Sequence, residues 1–267
     1  PSAINELLIH NPGSIDRETL LEEFIAREDL LADLLKIIAE NREDEPQQHA
    51  LLIGPRGMGK TTTLYAVAYK VEDDPILSRE WLPLIFSEEN YGIGDLADFW
   101  LEAVRFLEGA MGADEESAEQ LLAEYPADLA EQAQDLFFTI LKQEKKRVVL
   151  LLDNINEIFQ AISDERELHD LRSFLMEDPR LMVIGASTSY FSQINELDQP
   201  FYGLFRIFHL ERFNRQEMEL TLRTFAERKN DKKVLEILKT QPERVQSLRI
   251  LTGGNPRLVK MEYRLLH

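Results

Sequence analysis

The sequence predicts an α/β fold: a parallel sheet with helices on both faces, followed by a small helical lid. Three observations predict it. Short apolar runs alternate with longer stretches of helical periodicity, as in strands joined by crossover helices. One run, Arg147 to Asp153, holds five consecutive apolar residues, which suits a strand buried on both faces. Past Glu211 the strand signal stops and only helical periodicity remains. The expected division is therefore a core over residues 1–210 and a lid over 211–267 that is small enough to need the core for support.

Taken in order, LLEEFIAREDLLADLLKIIAE within the N-terminal segment 16–44 reads as one long amphipathic helix or a broken pair packing on the core. NREDEPQQ is a polar break. HALLIGP is a short buried strand and MGKTTTLYAVAYKV a helix. WLPLIF is a second strand, and LADFWLEAVRFLEGA a helix closed by Gly109 and Gly112. ADEESAEQLLAEYP and ADLAEQAQDLFFTILKQEKK are acidic helices, and RVVLLLD is the third strand. ERELHDLRSFLMEDP is a helix ended by Pro179, RLMVIGAS a fourth strand, and FRIFHLERF a fifth strand leaving the core. RQEMELTLRTFAERK, KKVLEILKT, ERVQSLRIL and PRLVKMEYRLL are the helices of the lid.

Composition narrows the function classes. A 267-residue chain with an ordinary apolar fraction can bury a sizeable core. No apolar run reaches membrane-spanning length, and PSAINELLIHNPGSID lacks the basic and apolar blocks of a secretory signal. With no cysteine there are no disulfides or thiolate metal sites, which fits a cytoplasmic protein. The five histidines are scattered, so no metal is expected to be held by side chains alone. A net charge of −19 argues against general nucleic-acid binding. The charge is uneven: from Phe205 onward 14 Lys/Arg face 8 Asp/Glu, a net +6, leaving −25 for residues 1–204. Solvated surface explains most such runs, but a basic lid leaves room for an acidic neighbour or nucleic acid.

GPRGMGKTT, comprising Gly54, Pro55, Arg56, Gly57, Met58, Gly59, Lys60, Thr61 and Thr62, fits G-x-x-x-x-G-K-[ST] between a strand and a helix. Glycines let the backbone curl so that its N–H groups face phosphate oxygens, and the helix start favours an anion. Lys60 can reach the terminal phosphates, and the Thr61 hydroxyl can ligate Mg²⁺. Asp153 ends the third strand, at the sheet edge where ligands bind, and can hold the same metal; a helix N-cap is its alternative role. Asn154 follows it. An amide accepts no proton at neutral pH, so ATP is expected to bind tightly and turn over slowly. Glu157 could fold back as a substitute base, or simply face solvent.

These motifs and their order resemble the AAA+ and STAND ATPases, the P-loop NTPase class that includes origin-recognition ATPases and multidomain signalling ATPases. The resemblance implies a three-layer core. FIAREDLL resembles the F-x-G-R-E box that lies against adenine, with Arg27 in place and Ala26 where glycine is usual. VIGASTSYF is similar to the sensor-1 strand, with Thr188 or Ser187 at its polar tip. GGNPRLV resembles sensor 2, whose arginine reaches the γ-phosphate; that residue is Arg257. The region of Arg206 can supply an arginine finger to a neighbouring subunit, although an arginine on an edge strand can equally snorkel to water.

The resemblance implies a nucleotide-driven switch using ATP and Mg²⁺, with a homo-oligomer or protein partner. Relatives use such switches in replication, transposition, signalling and defence. The alternative is a non-catalytic module that ATP locks into an assembly, to which Asn154 points. The sequence has no N-K-x-D for guanine, no LSGGQ-like signature and no aromatic-interleaved basic groove. Relatives commonly continue into a further C-terminal domain, so a fragment or a minimal protein is expected, with nucleic acid reached only through the basic lid or that domain.

Overall fold

The computed structural model describes residues 12–87, 92–112, 116–124 and 126–265. The reading of the first 11 residues as free of a secretory signal, the junctions of the acidic helix at 113–115 and 125, and the terminal Leu266 and His267 lie outside the described residues.

Five parallel strands form one sheet in the order β2-β3-β4-β1-β5. They are β1 His49–Ile53, β2 Trp81–Phe86, β3 Arg147–Leu152, β4 Leu181–Ser187 and β5 Phe205–His209. β1, β3 and β4 are buried at every position, which is why their sequences read as unbroken apolar runs. Alternate residues feed opposite faces. Leu51, Val148, Leu150 and Val183 pack with one helical layer, and Ala50, Leu52, Val149, Leu151 and Ile184 with the other. The fifth strand does not leave the core as expected. It pairs with β1 along its whole length, from His49–Phe205 to Ile53–His209, because its inner face still has apolar partners. The chain departs for the lid only after it.

The N-terminal segment is a broken pair, α1 Arg17–Glu22 and α2 Glu28–Glu40. Asp16 caps α1 by accepting the Thr19 N–H at 2.9 Å, and that bond holds its carboxyl below the usual range. At the break Ala26 sits at φ 62, a left-handed conformation costly for a residue with a Cβ. Leu20, Leu31, Leu34 and Ile38 pack on the core, whereas Ile25 and Ala26 lie against the lid cluster. The layer on that side continues with α3 Lys60–Asp73 and α4 Leu77–Glu80.

The opposite layer comprises α5 Leu96–Ala110, α6 Ser117–Glu124, α7 Leu129–Glu144, α8 Ile155–Ala161 and α9 Glu165–Glu177, with the short α10 Ser192–Asn195 before β5. Gly109 does not close α5 but lies in its last turn; Gly112, at φ 70, follows the end. The lid is α11 Arg215–Arg228, α12 Lys232–Thr240, α13 Pro242–Thr252 and α14 Pro256–Leu265, around a small core of Met218, Leu222, Phe225, Val259 and Tyr263. Among the described residues no helix is long and apolar enough to cross a membrane.

The amino end of the sheet is closed by two buried polar side chains. Arg147, 5% exposed, donates to the carbonyls of Pro179 (3.0 and 2.9 Å) and Asn41 (2.8 Å) and to Gln47 Oε1 (2.5 Å), with its guanidinium 3.9 Å from the Trp81 ring. His49, fully buried, donates from Nε2 to the Leu175 carbonyl at 2.8 Å and accepts the Val183 N–H at Nδ1. Burial pushes its pKa down to about 4, against the opposing pull of the Leu175 carbonyl.

Candidate nucleotide site

At the carboxyl end of the sheet, β1 runs into the loop Gly54–Gly59, and α3 begins at Lys60. Lys60 is buried, and its ammonium donates to the carbonyls of Gly54 (2.7 Å) and Pro55 (3.2 Å), the first two residues of its own loop. The Thr61 hydroxyl donates to Asp153 Oδ2 at 2.6 Å. Asp153 is 4% exposed, and its Oδ1 accepts the Asn154 N–H at 3.2 Å. β4 lies between the strand that feeds the loop and the strand that ends at Asp153. Thr188, one residue past β4, therefore falls between them.

These groups share a cavity of about 420 Å³. Arg56, Gly57, Met58, Gly59, Lys60, Thr61 and Thr62 form its floor, with Asp153, Asn154 and Thr188 on one side and Arg257 on the other. The lining also includes apolar side chains, Phe24, Ile25, Phe213 and Phe225, together with Arg27. This suits a ligand with an anionic part and a flat apolar part. Arg27 donates to the Glu211 carbonyl at 3.0 Å and lies over the Phe213 ring at 5.5 Å. Burial lowers its pKa, and Glu217 opposes that shift.

The fit to Mg²⁺ rests on the donor set. A hydroxyl and a carboxylate already in contact are hard oxygen ligands. Among the described residues no group of three or more His, Cys, Asp or Glu could hold a metal. A two-oxygen site that shares its ion with phosphate is the kind Mg²⁺ occupies.

The lid rests on the loop through Gly253–Arg257. Asn255 donates from Nδ2 to the Arg56 carbonyl at 3.0 Å, while its Oδ1 accepts the N–H groups of Arg257 (3.0 Å) and Leu258 (3.3 Å). It thus caps α14 and clamps the loop with one side chain, and Pro256 supplies the first helical position. The Arg257 N–H also reaches the Gly57 carbonyl at 3.2 Å. A Cβ on Gly57 would stand 2.8 Å from Asn255 Oδ1, and one on Gly254 2.5 Å from the Phe213 carbonyl, so both positions need glycine. Arg228–Glu22 (3.3 Å) and Lys260–Glu23 are ion pairs that tie the lid to the end of α1 and the residue after it.

Four predicted residues do not line the cavity: Gly54 and Pro55, whose carbonyls hold Lys60 instead, and Glu157 and Arg206. Glu157 is exposed: α8 buries Ile155, Ile158 and Phe159, which turns position 157 outward. Arg206 is exposed on the edge strand β5, its guanidinium 5.0 Å from the Phe208 ring. Of the two sensor-1 candidates Thr188 lines the cavity, whereas the Ser187 hydroxyl donates to Asn156 Oδ1 (3.0 Å) and the Ser189 carbonyl (2.7 Å). Sequence reasoning misses Glu23, Ser87, Thr221 and Lys260, which also line the cavity. Ser87 has a usable signal, since it directly follows an apolar strand, as Asp153 does. The others carry no motif.

The AAA ATPase domain family matches residues 23–184. No curated protein matches the sequence. Among solved structures, the chain is similar to the Aeropyrum pernix ORC1 protein in complex with DNA: TM-score 0.58, 16% identity, over 83% of this chain and 52% of that one. It is also similar to the Aeropyrum pernix ORC2 protein (0.55, 15%, 79% and 56%) and to Drosophila ORC bound to DNA (0.54, 14%, 96% and 62%). The chain spans between half and two thirds of those lengths, and at these identities the likeness shows the fold.

Proposed function

The chain belongs to the AAA ATPase domain family, and from that premise we propose that it is an ATP-binding switch whose slow hydrolysis moves the lid, residues 211–267, against the core, residues 1–210. The contact of Thr61 with Asp153 at 2.6 Å, in the cavity floored by Lys60, carries this reading. The loop from Gly54 to Thr62 would cradle the phosphates, with Lys60 on their terminal charge and Arg257 facing them from the lid. Mg²⁺ held by Thr61 and Asp153 would neutralise charge on the phosphates. Thr188 would hydrogen-bond to the phosphate end, and Arg27 would close the base end. The lid would move because its two positions differ in affinity for the terminal phosphate.

Turnover is slow on this reading because the residue after Asp153 is an amide and Glu157 faces solvent. Arg206, exposed at the sheet edge, suits a finger offered to a second copy, and the charge contrast between acidic core and basic lid suits such packing. The second reading, an ATP-locked assembly module without catalysis, is favoured by the same amide. Fluorescent ATP-analogue binding and phosphate release, followed together across protein concentrations, separate the two. The switch requires release that rises with concentration and falls in Arg206→Ala. Binding without release at any concentration selects the module, and no binding removes both.

A further inference from the structure

Asn154 is only 7% exposed and lines the cavity, and among the described residues its side-chain amide makes no hydrogen bond. Its backbone is already engaged: the N–H donates to Asp153 and the carbonyl accepts from Glu157 at 2.8 Å. A buried amide in this state has unused capacity to donate and to accept. It stands at φ 48, a left-handed conformation that asparagine tolerates better than glutamate does. A second polar group faces the same space. Ser87 follows β2, whose last residue Phe86 pairs with Leu152 and accepts the Asp153 N–H at 3.1 Å. Its hydroxyl also makes no hydrogen bond among the described residues.

Among the described residues the charged groups around this space offer no free base. Two described carboxylates line the cavity. Glu23 is paired with Lys260 at the lid, and Asp153 accepts from Thr61. The rest of its charged lining is cationic: Arg27, Arg56, Lys60, Arg257 and Lys260.

We propose that the Asn154 amide, with the Ser87 hydroxyl beside it, positions the attacking water, a role the amide fills by hydrogen bonding and without acting as a base. This rests on the reading of the cavity as an ATP site. The amide carbonyl accepts a hydrogen bond from the water and its NH₂ donates to a γ-phosphoryl oxygen, so one side chain holds both reactants. The water oxygen forms the new bond to the γ-phosphorus, and the bond from that phosphorus to the β,γ-bridging oxygen breaks. The water proton passes to a γ-phosphoryl oxygen, leaving ADP and dihydrogen phosphate. An amide orienting the water is an established alternative to a carboxylate in phosphoryl transfer.

Asn154→Gly is the cleanest test, because glycine keeps the left-handed backbone and deletes only the amide. ATP affinity and single-turnover phosphate release are measured on the full chain for wild type, Asn154→Gly, Asn154→Asp and Ser87→Ala. The expected result for Asn154→Gly is ATP affinity within about threefold of wild type and release slower by about a hundredfold. Asn154→Asp, which loses the donor but gains a carboxylate that can take the water proton, should release phosphate faster than Asn154→Gly. Ser87→Ala should slow release about fivefold, and by much less once Asn154→Gly is present, since the two act on one water. Release at the wild-type rate in Asn154→Gly overturns the inference alone. ATP binding without any release from wild type overturns it together with the hydrolytic reading, and failure to bind ATP overturns the ATP reading itself.

Discussion

The two ends of the sheet bury polar side chains in opposite ways. At the amino end, Arg147 and His49 are surrounded by carbonyls and an N–H that use their hydrogen-bonding groups in fixed directions. At the carboxyl end, Lys60, Asp153 and Asn154 are just as buried but border a cavity. Lys60 rests on the carbonyls of its own loop, and among the described residues the Asn154 amide is unspent. A saturated polar cluster fixes a structure, because removing one member leaves the others desolvated and unpaired. An incompletely used one retains affinity for something else. Burial alone therefore does not identify a site; the balance of donors and acceptors does.

The largest effect should fall at the cavity end and leave the fold standing. Lys60→Ala is expected to weaken ATP binding at least about tenfold and slow phosphate release at least about a hundredfold, with little change in melting temperature. A melting temperature that drops by many degrees would erase the contrast between the ends. Arg147→Met should do the reverse. It leaves the carbonyls of Pro179 and Asn41 and the Gln47 amide without their donor, at a cost of about 3 kcal/mol in urea unfolding, while the folded protein binds ATP as before.

His49 sharpens the same contrast through pH. Its folded pKa of about 4 lies below the ordinary 6.5. Between those values the unfolded chain binds a proton that the folded chain refuses, so stability rises with pH across the window and is lost as pH falls from 6.5 towards 4. The loss is roughly 3 kcal/mol over the whole window and about 2 by pH 5. Urea midpoints at pH 7 and 5 should show this slope in wild type and a flatter one in His49→Gln; equal slopes would sink the assignment.

Asn255→Ala uncaps α14 and releases the Arg56 carbonyl, so about 1 kcal/mol of stability and several-fold in ATP affinity should go together. Loss of stability with unchanged affinity would separate the cap from the clamp. The smallest effect is Ala26→Gly, which relieves a left-handed alanine and should stabilise by about 0.5 kcal/mol in the same unfolding assay.

Much of the carboxyl end is legible in the sequence. A glycine-rich turn between a strand and a helix, and an acid at the end of an apolar run, are local patterns with local physics. The pairing order is not legible, because strand neighbours are chosen by contacts far apart in sequence. That β4 separates β1 from β3, and so brings Thr188 between the loop and Asp153, cannot be read from either stretch. The helix break at Ala26 is ambiguous for a different reason: alanine carries no preference for the conformation it adopts there. Glu23 and Lys260 are invisible because their pairing across the lid depends on how two distant segments meet. The amino end leaves one trace, a histidine and an arginine each opening an apolar strand, and nothing in that trace tells structural closure from function.

The double duty of Asn255 has a mechanical consequence. The same amide terminates a lid helix and grips the loop below it. Its two cap bonds lie within the lid and hold the side chain in one direction, while its third bond crosses to the Arg56 carbonyl. A side chain pinned in this way cannot swing to follow its neighbour, so the link is stiff. A displacement of the loop would then be felt at the start of α14, and a displacement of α14 at the loop.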